Sequence, residues 1–277
     1  MKTAKLTTII MLLSLMVIAQ ASAQLAFFAD FEDGGGKAVP DKGVNDAKKY
    51  KGPPGTIWAI QDATTNAGNA DNQVLKQTAE GCGTSGNTPL PGVTDFTDGI
   101  IQVVFSFGDD DGFGLTFRKK GDDKGYIVAF GFTETPHLIL ADYADGCCPD
   151  GQCLDQCGCE NGGKEIFSVP KPPEINLDQG NGTVYLGRVE VSGGDIKVWY
   201  LLYDDVKDPF GDSAGLGKPH IDEKGLLKTT AAGSVGLWHE SWGQGEVHEV
   251  FVTNPGGFAV DARKKLATSW GYVKSAY

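Results

Sequence analysis

The 277-residue sequence has few basic residues, only four histidines and little apolar periodicity of the helical kind. Its 24 Lys and Arg residues face 36 Asp and Glu residues, and the formal net charge of -12 would repel phosphate backbones, so no nucleic-acid partner is expected. The lack of helical spacing, together with 39 glycines, indicates strands joined by tight turns. The P-loop, the G-x-S-x-G elbow and the H-E-x-x-H zinc motif are absent, so none of these catalytic classes is indicated.

Long apolar runs are also missing, except near the N-terminus. Lys2 and Lys5 precede a mostly apolar run at 9–19, and the small residues at 21–23 follow it. This order is typical of a cleaved signal peptide, and the run is too short to span a bilayer comfortably. We therefore expect residues 1–23 to be removed and the mature protein, which has no membrane span, to be secreted, periplasmic or at the cell surface.

Cysteine is rare over most of the chain and dense in one stretch at 145–163. The full set is Cys82, Cys147, Cys148, Cys153, Cys157 and Cys159. Exported thiols tend to pair, and an even number of cysteines allows every one of them to do so. The spacings contain no C-x2-C pair of the kind that zinc sites use. We predict a disulfide-stapled loop insertion with Cys82 tied to it, and metal binding by the same residues is the alternative.

Residues 24–258 are predicted to form one all-β domain. The clearest alternation runs through 99–132, where each of three segments places its large apolar residues on one face, and we predict that these segments form a three-strand meander. The residues on these faces are Ile101, Val103, Phe105 and Phe107, then Phe113, Leu115 and Phe117, then Tyr126, Val128, Phe130 and Phe132. About twelve short strands without intervening helices predict a two-sheet antiparallel jelly-roll sandwich.

The last segment, 259–277, has a different pattern. Leu266, Trp270, Val273 and Tyr277 follow helical spacing, which predicts a short C-terminal helix. The helix either docks on the sandwich or acts as a recognition tag for a sorting or surface partner.

The succession of strand motifs resembles that of a known family. The stretches "FFADFEDG", "TIWAIQD", "VLKQT" and "FTDGIIQVVFSFGDDDGFGLTFRKKGDDKGYIVAF" are followed by "YLGRVEVSGGDIKVWYLLYDD" and "AGSVGLWHESWGQGEVHEVFV". Their order is similar to that of the concanavalin A-like lectin and glucanase jelly rolls of secreted bacterial proteins, in the style of laminin-G-like and thrombospondin C-terminal-like domains. The resemblance implies two curved antiparallel sheets and often a glycan-binding role, although a fold alone does not imply a chemistry.

The same resemblance implies a calcium site between the first and last strands. Asp30, Glu32 and Asp33 would supply oxygen ligands from the first strand. Where the family commonly has an aspartate in the last strand, this chain has His248, and the neighbouring Glu249 is expected to point to the opposite face. A solvated acidic turn is the alternative for these residues.

Catalytic carboxylates are not apparent in the sequence. Glycosidases of this fold often carry an E-x-D-x-E strand, and the nearest pattern here is Glu246, His248 and Glu249, whose alternation is expected to scatter the carboxylates over two faces. We therefore expect a non-catalytic glycan-binding or adhesive module. A polysaccharide-active hydrolase or lyase, or a structural envelope component, is the alternative.

Aromatic rings and planar polar side chains suit the binding of sugars. If the large apolar face of each strand is the inter-sheet core, then Gln102, Arg118, Trp199 and Trp238 are expected to line the concave surface, and Trp242 to lie at its rim. The expected partner is a polysaccharide or a cell-surface glycan. Packing of Trp199 and Trp238 beneath loops is the alternative.

Overall fold

A computed structural model describes residues 25–31, 46–52, 55–64, 73–79, 86–108, 112–121, 124–130, 137–142, 165–175, 183–239 and 243–254. The predicted signal peptide, the predicted C-terminal helix, all six cysteines, Glu32, Asp33 and Trp242 lie outside these residues. Helical structure in the described ranges consists of short 3-10 turns at Ala47–Lys49, Tyr203–Asp205 and Ser213–Leu216. None of these helices is long and apolar enough to cross a membrane.

Strands make up most of the described chain. In chain order they are β1 (Leu25–Ala29), β2 (Trp58–Asp62), β3 (Gln73–Gln77), β4 (Gly86–Pro89), β5 (Gly99–Ser106), β6 (Phe113–Lys119), β7 (Tyr126–Ala129), β8 (His137–Asp142), β9 (Glu165–Pro170), β10 (Val184–Ser192), β11 (Asp195–Leu202), β12 (Ile221–Glu223), β13 (Ser234–His239) and β14 (Glu246–Thr253). β-Branched and aromatic residues dominate the longer strands, as strand propensity requires.

The strands form two antiparallel sheets. The larger sheet has the order β12-β11-β10-β5-β14-β3-β2, and β1 also pairs with β14. The smaller sheet has the order β4-β13-β6-β7-β8-β9. The prediction of an all-β chain with two antiparallel sheets is therefore confirmed.

The predicted three-strand meander is wrong in one respect. β5 lies in the larger sheet between β10 and β14, whereas β6, β7 and β8 are neighbours in the smaller sheet. The chain therefore passes from the larger sheet to the smaller sheet between β5 and β6. Alternation tells which side chains share a face, but not which strand is the hydrogen-bonded partner.

The inner faces of the two sheets form one apolar core. Phe105 of β5 lies at its centre, with ring centroids 4.7 Å from Phe113 in the smaller sheet and 6.1 Å from Tyr200 in its own sheet. The apolar residues expected on the inner faces of these strands, Val103, Leu115, Phe117 and Val128 among them, join the same core. Each fully buried large side chain contributes about 1.5–3 kcal/mol to stability.

The outer face of the larger sheet is covered in its middle by residues 203–217, which we call the strap. Leu216 of the strap packs against Leu186 and Trp199. The ring centroid of Phe210, also in the strap, lies 5.9 Å from that of Phe251 on β14. Trp199, for which the sequence left both packing and glycan binding open, is therefore covered by protein.

Candidate functional site

A cleft of about 400 Å³ opens at the end of the hairpin formed by β10 and β11. Its charged lining consists of Asp98, Glu190, Asp195, Lys197 and Lys224. Three carboxylates and two ammonium groups thus face one small space. This mixture supplies hydrogen-bond acceptors and donors together.

The register of the larger sheet explains part of this arrangement. Glu190 on β10 lies opposite Ile100 on β5 and opposite Lys197 on β11, and Lys197 lies opposite Asp222 on β12. Residues opposite each other in a sheet point to the same face, so these four side chains form a row on the outer face. The Gly193–Gly194 turn ends the hairpin beside this row.

Arg118 is a buried residue whose guanidinium contacts the residues that form one wall of the cleft. Its guanidinium donates hydrogen bonds to the carbonyl oxygens of Thr97, Gly193 and Thr229 at 2.6, 2.7 and 2.7 Å. It also pairs with Asp98 at 3.1 Å, and the same carboxylate oxygen accepts the Gly193 amide at 2.5 Å. Desolvation by burial lowers the pKa of Arg118, but the charge of Asp98 opposes that effect. Arg118 therefore fixes the position of Asp98, which lines the cleft.

The strap is fastened to the other side of the cleft. The Ser213 hydroxyl donates to the carboxylate of Glu190, and Ser213 Oγ accepts a hydrogen bond of 3.0 Å from Arg188. The other acceptors of Arg188 are Gln102 Oε1 at 2.8 Å, Pro209 O at 2.7 Å and Gly211 O at 3.0 Å. Burial lowers the pKa of Arg188 to about 10, which leaves the guanidinium charged at neutral pH.

The structure does not gather the residues predicted to bind glycan on one open surface. Gln102 and Trp199 lie beneath the strap in the larger sheet, on either side of Arg188, and Trp199 Nε1 donates to Gly217 O at 3.0 Å. Arg118 and Trp238 belong to the smaller sheet. Arg118 pairs with Asp98, which lines the cleft. Their direct contact with a glycan stays a prediction.

All four of these residues are at most 2% exposed. Trp238 packs on the outer face of the smaller sheet with Ile127, Ala129, Ile139 and Ala141, which are fully buried too. The surroundings of Trp199 and Trp238 fit the alternative in which both tryptophans pack within the protein.

A second polar group lies on the outer face of the larger sheet, at the end away from the cleft. The register of β14 shifts between Val247 and Glu249, so that Glu246 lies opposite Ser106 and Glu249 lies opposite Val104. Ser106 and Val104 point to the same face of β5 because they are two residues apart. The expectation that the carboxylates of Glu246 and Glu249 point to different faces is therefore wrong, and the β-bulge is the physical reason.

Glu246 is the centre of this group. Its Oε1 accepts the amide and the hydroxyl of Thr64 at 2.8 and 2.5 Å, and it pairs with Lys76 Nζ at 3.1 Å. Desolvation by burial acts to raise the pKa of Glu246, but these hydrogen bonds and the charge of Lys76 outweigh it and hold the pKa below its ordinary value. Glu246 is thus an ionised acceptor with its partners already in place.

His248 lies beside Glu246. Its Nε2 is 3.8 Å from Glu246 Oε2 and 3.5 Å from Ser106 Oγ. Burial lowers the pKa of His248 to about 4, even though the Glu246 charge acts to raise it, so the ring is neutral at pH 7. Because a single ring nitrogen faces both groups, the carboxylate does not orient the imidazole toward the serine as it does in a catalytic triad.

Glu249 has the opposite electrostatic environment from Glu246. Burial raises its pKa well above the ordinary value, and the charge of Asp30 raises it further. Asp30, which directly follows β1, thus lies near Glu249 of β14. Calcium takes six to eight oxygen ligands. Within the described ranges no group of three or more His, Cys, Asp or Glu side chains is placed to hold a metal, so these residues alone do not complete the expected calcium site.

A second buried histidine joins the two sheets. His239 at the end of β13 lies with its Nε2 3.4 Å from Thr88 Oγ1, which accepts a hydrogen bond of 3.0 Å from the indole of Trp58. Complete burial lowers the pKa of His239 to about 3. The ring is therefore neutral across the physiological range.

Comparison with known proteins gives structural neighbours but no sequence family. No family model matches the chain, and no curated protein sequence matches it. The carbohydrate binding module CBM66 from Bacillus subtilis is 13% identical over 71% of this chain and 91% of its own, with a TM-score of 0.38. The exoplasmic/lumenal domain of VIP36 in its Ca2+/Man3GlcNAc-bound form is 13% identical over 71% of this chain and 83% of its own, with a TM-score of 0.43.

The laminarinase catalytic domain from Thermotoga maritima MSB8 is 9% identical over 84% of this chain and 98% of its own, with a TM-score of 0.40. The chain thus resembles concanavalin A-like lectin and glucanase domains, the group that its sequence indicates. Because all three TM-scores are below 0.5, we draw nothing about ligand or chemistry from these likenesses.

The cleft was not predicted from the sequence, although the hairpin beside it has a recognisable sequence pattern. The two glycines at 193–194 between alternating strands predict a tight hairpin, and charged residues flank them. The approach of Asp98 and Lys224 to this hairpin left no local signal, because these residues come from distant parts of the chain.

Proposed function

We propose that this protein is a glycan-binding module. The observation that carries the proposal is the half-open cleft at the β10–β11 hairpin, where carboxylates and ammonium groups converge on one small space. Sugar hydroxyls both donate and accept hydrogen bonds, so such a lining suits them better than it suits an apolar ligand. The larger sheet holds these groups on its strands or directly beside strand ends, which favours preorganised binding.

The cleft would bind through hydrogen bonds more than through stacking. The described residues that line it include no aromatic side chain. A few hydrogen bonds in an open cleft give weak affinity for one sugar, because water competes for the same groups. Binding to a polymer would be strengthened when several modules meet one repetitive surface.

A polysaccharide pull-down tests this function. The purified protein is mixed with insoluble or immobilised cellulose, xylan, laminarin, mannan, starch and levan, and the retained fraction is measured. We expect retention on at least one polymer and its loss in the Lys197→Ala/Lys224→Ala double variant, since both exposed side chains line the cleft.

Lys48→Ala is the matched control, because Lys48 is exposed and belongs to a turn that packs beside β2, at the opposite edge of the larger sheet. A thermal melt of each variant excludes loss of folding. Absence of retention on every polymer would refute the function.

A hydrolase or lyase acting on polysaccharides is a second candidate. The observation in its favour is that Glu246 and Glu249 share one face while their pKa values are moved in opposite directions, as for a carboxylate and a neutral acid in one site. Both side chains are buried, which weighs against access by a polymer. Release of new reducing ends by the wild type, together with loss of that activity in Glu249→Gln, would establish this candidate.

We also propose that the protein is exported after removal of residues 1–23, and that the six cysteines form disulfides in the loop at 145–163 and to Cys82. The signal-like N-terminus and the even cysteine count support this. Calcium near Asp30, Glu32 and Asp33, and a short C-terminal helix that docks or recruits a surface partner, complete the proposal.

A further inference from the structure

We propose that the cleft is a blind subsite, which takes the terminal sugar of a neutral glycan and cannot take an internal segment of the chain. This inference rests on the proposed glycan-binding function and adds the part of the glycan that is recognised. The volume of about 400 Å³ gives the first reason. It lies near the lower end of the range of about 300–1,000 Å³ that small-molecule sites span, so it fits a mono- or disaccharide.

The strap closes the cleft along the strand direction. Arg188 lies two residues before Glu190 on β10 and is fully buried. Trp199, which lies opposite Arg188 on β11, is only 2% exposed. Ser213 bonds to both Glu190 and Arg188 and so joins the strap to the edge of the cleft. A sugar chain in the cleft therefore meets the strap and cannot continue along the strands toward the middle of the sheet.

Across the sheet the cleft ends at β5, beside a part of β14 that is itself buried. The Ile100 amide donates to Thr253 Oγ1 at 3.2 Å, and Thr253 is 1% exposed. At Gly99, which also lines the cleft, a Cβ atom would lie 2.0 Å from the carbonyl oxygen of Thr253, so the two backbones are in close contact. On the other side Lys197, Asp222 and Lys224 are exposed. A glycan thus reaches the cleft over β12 or the hairpin end, and its terminal sugar lies against β5 and the strap.

The charges of the cleft specify a neutral ligand rich in hydroxyls. Asp98 and Asp195 each use one carboxylate oxygen, Oδ1, to accept a backbone amide, from Gly193 and Gly225 respectively. Their Oδ2 atoms can accept from sugar hydroxyls, while the ammonium groups at 197 and 224 donate to the same ligand. With three carboxylates against two ammonium groups, neither an anionic nor a cationic sugar gains a large electrostatic advantage.

Competition with chain ends tests the inference. A polymer that retains the wild-type protein in the pull-down is cut to several mean lengths, and each preparation competes for the protein at equal mass. We expect competition to follow the molar concentration of chain ends, with the disaccharide and the hexasaccharide of that polymer equally effective per mole within about two-fold. Lys197→Ala/Lys224→Ala, but not Lys48→Ala, should abolish retention and competition alike.

Two results would overturn the inference in different ways. Competition that follows the mass of polymer, or a hexasaccharide at least about ten-fold more effective per mole than the disaccharide, would show binding along the chain and leave the glycan-binding function standing. Retention on none of the polymers would overturn the function and the blind subsite together. Oligosaccharides reduced at one end, compared with unreduced ones, tell which chain terminus enters.

Discussion

Replacing Arg188 with methionine should release the strap from the larger sheet. The guanidinium donates to two strap carbonyls, to Ser213 Oγ and to Gln102 Oε1, and all of these contacts are within 3.0 Å. Methionine retains much of the apolar volume but leaves these acceptors without their donor, and each unsatisfied buried group costs about 1–3 kcal/mol. Part of this loss is offset because a buried charge is removed. We expect a net loss of about 3–5 kcal/mol in the free energy of unfolding.

The assay is thermal and urea unfolding of the wild type and of Arg188→Met. For a domain of this size a loss of 3–5 kcal/mol corresponds to a fall of about 10 °C or more in Tm. Lys207→Met is the control, since Lys207 is an exposed residue of the same strap and should leave Tm nearly unchanged. Hydrogen exchange should also become faster in 209–217 in the Arg188 variant. If Arg188→Met unfolds within about 2 °C of the wild type, the strap does not depend on this guanidinium.

Three further predictions concern pH, calcium and thiols. Burial holds the pKa of His239 near 3, below the unfolded value of about 6.5. The difference in unfolding free energy between the wild type and His239→Gln, measured by urea titration, should therefore favour the wild type fully above about pH 6.5 and shrink as pH falls toward 3. A pH-independent difference would contradict the neutral buried ring. If calcium binds only the native state near Asp30, millimolar calcium should raise Tm relative to chelator, and superimposable melts would argue against the site. Mass spectrometry of the exported protein should find no free thiol, whereas free thiols with stoichiometric zinc would favour the metal alternative.

The sequence predicted the strands well because strand periodicity is a local property. The faces of β5, β6 and β7 were read correctly, since each alternates apolar and other residues over several positions. The sheet that contains β5 was not, because a hydrogen-bonded partner is chosen by the packing of the whole chain. The shift at 247–249 was also missed, since one extra residue in a strand has no signature in alternation.

The candidate binding residues show a different limit of the sequence. Of the candidates, Gln102 and Trp199 lie on the face of the larger sheet away from the main core, as predicted, but such a face can be covered as well as exposed. The strap that covers two of them is rich in Asp and Gly and has the composition of an ordinary loop. Arg188 donates hydrogen bonds to backbone carbonyl groups of the strap that lie more than twenty residues away in the sequence. Contacts between such distant residues leave no local pattern from which they could be predicted.

The central claim is that a glycan binds at the β10–β11 hairpin, and amide chemical-shift mapping tests it most directly. The isotope-labelled protein is titrated with the disaccharide of a polymer that retains it in the pull-down. Binding at the cleft predicts saturable shifts confined to the amides of Asp98–Ile100, Glu190–Lys197 and Lys224, which Lys197→Ala/Lys224→Ala abolishes. Saturable shifts centred elsewhere, for instance on β13 around Trp238, would contradict the account.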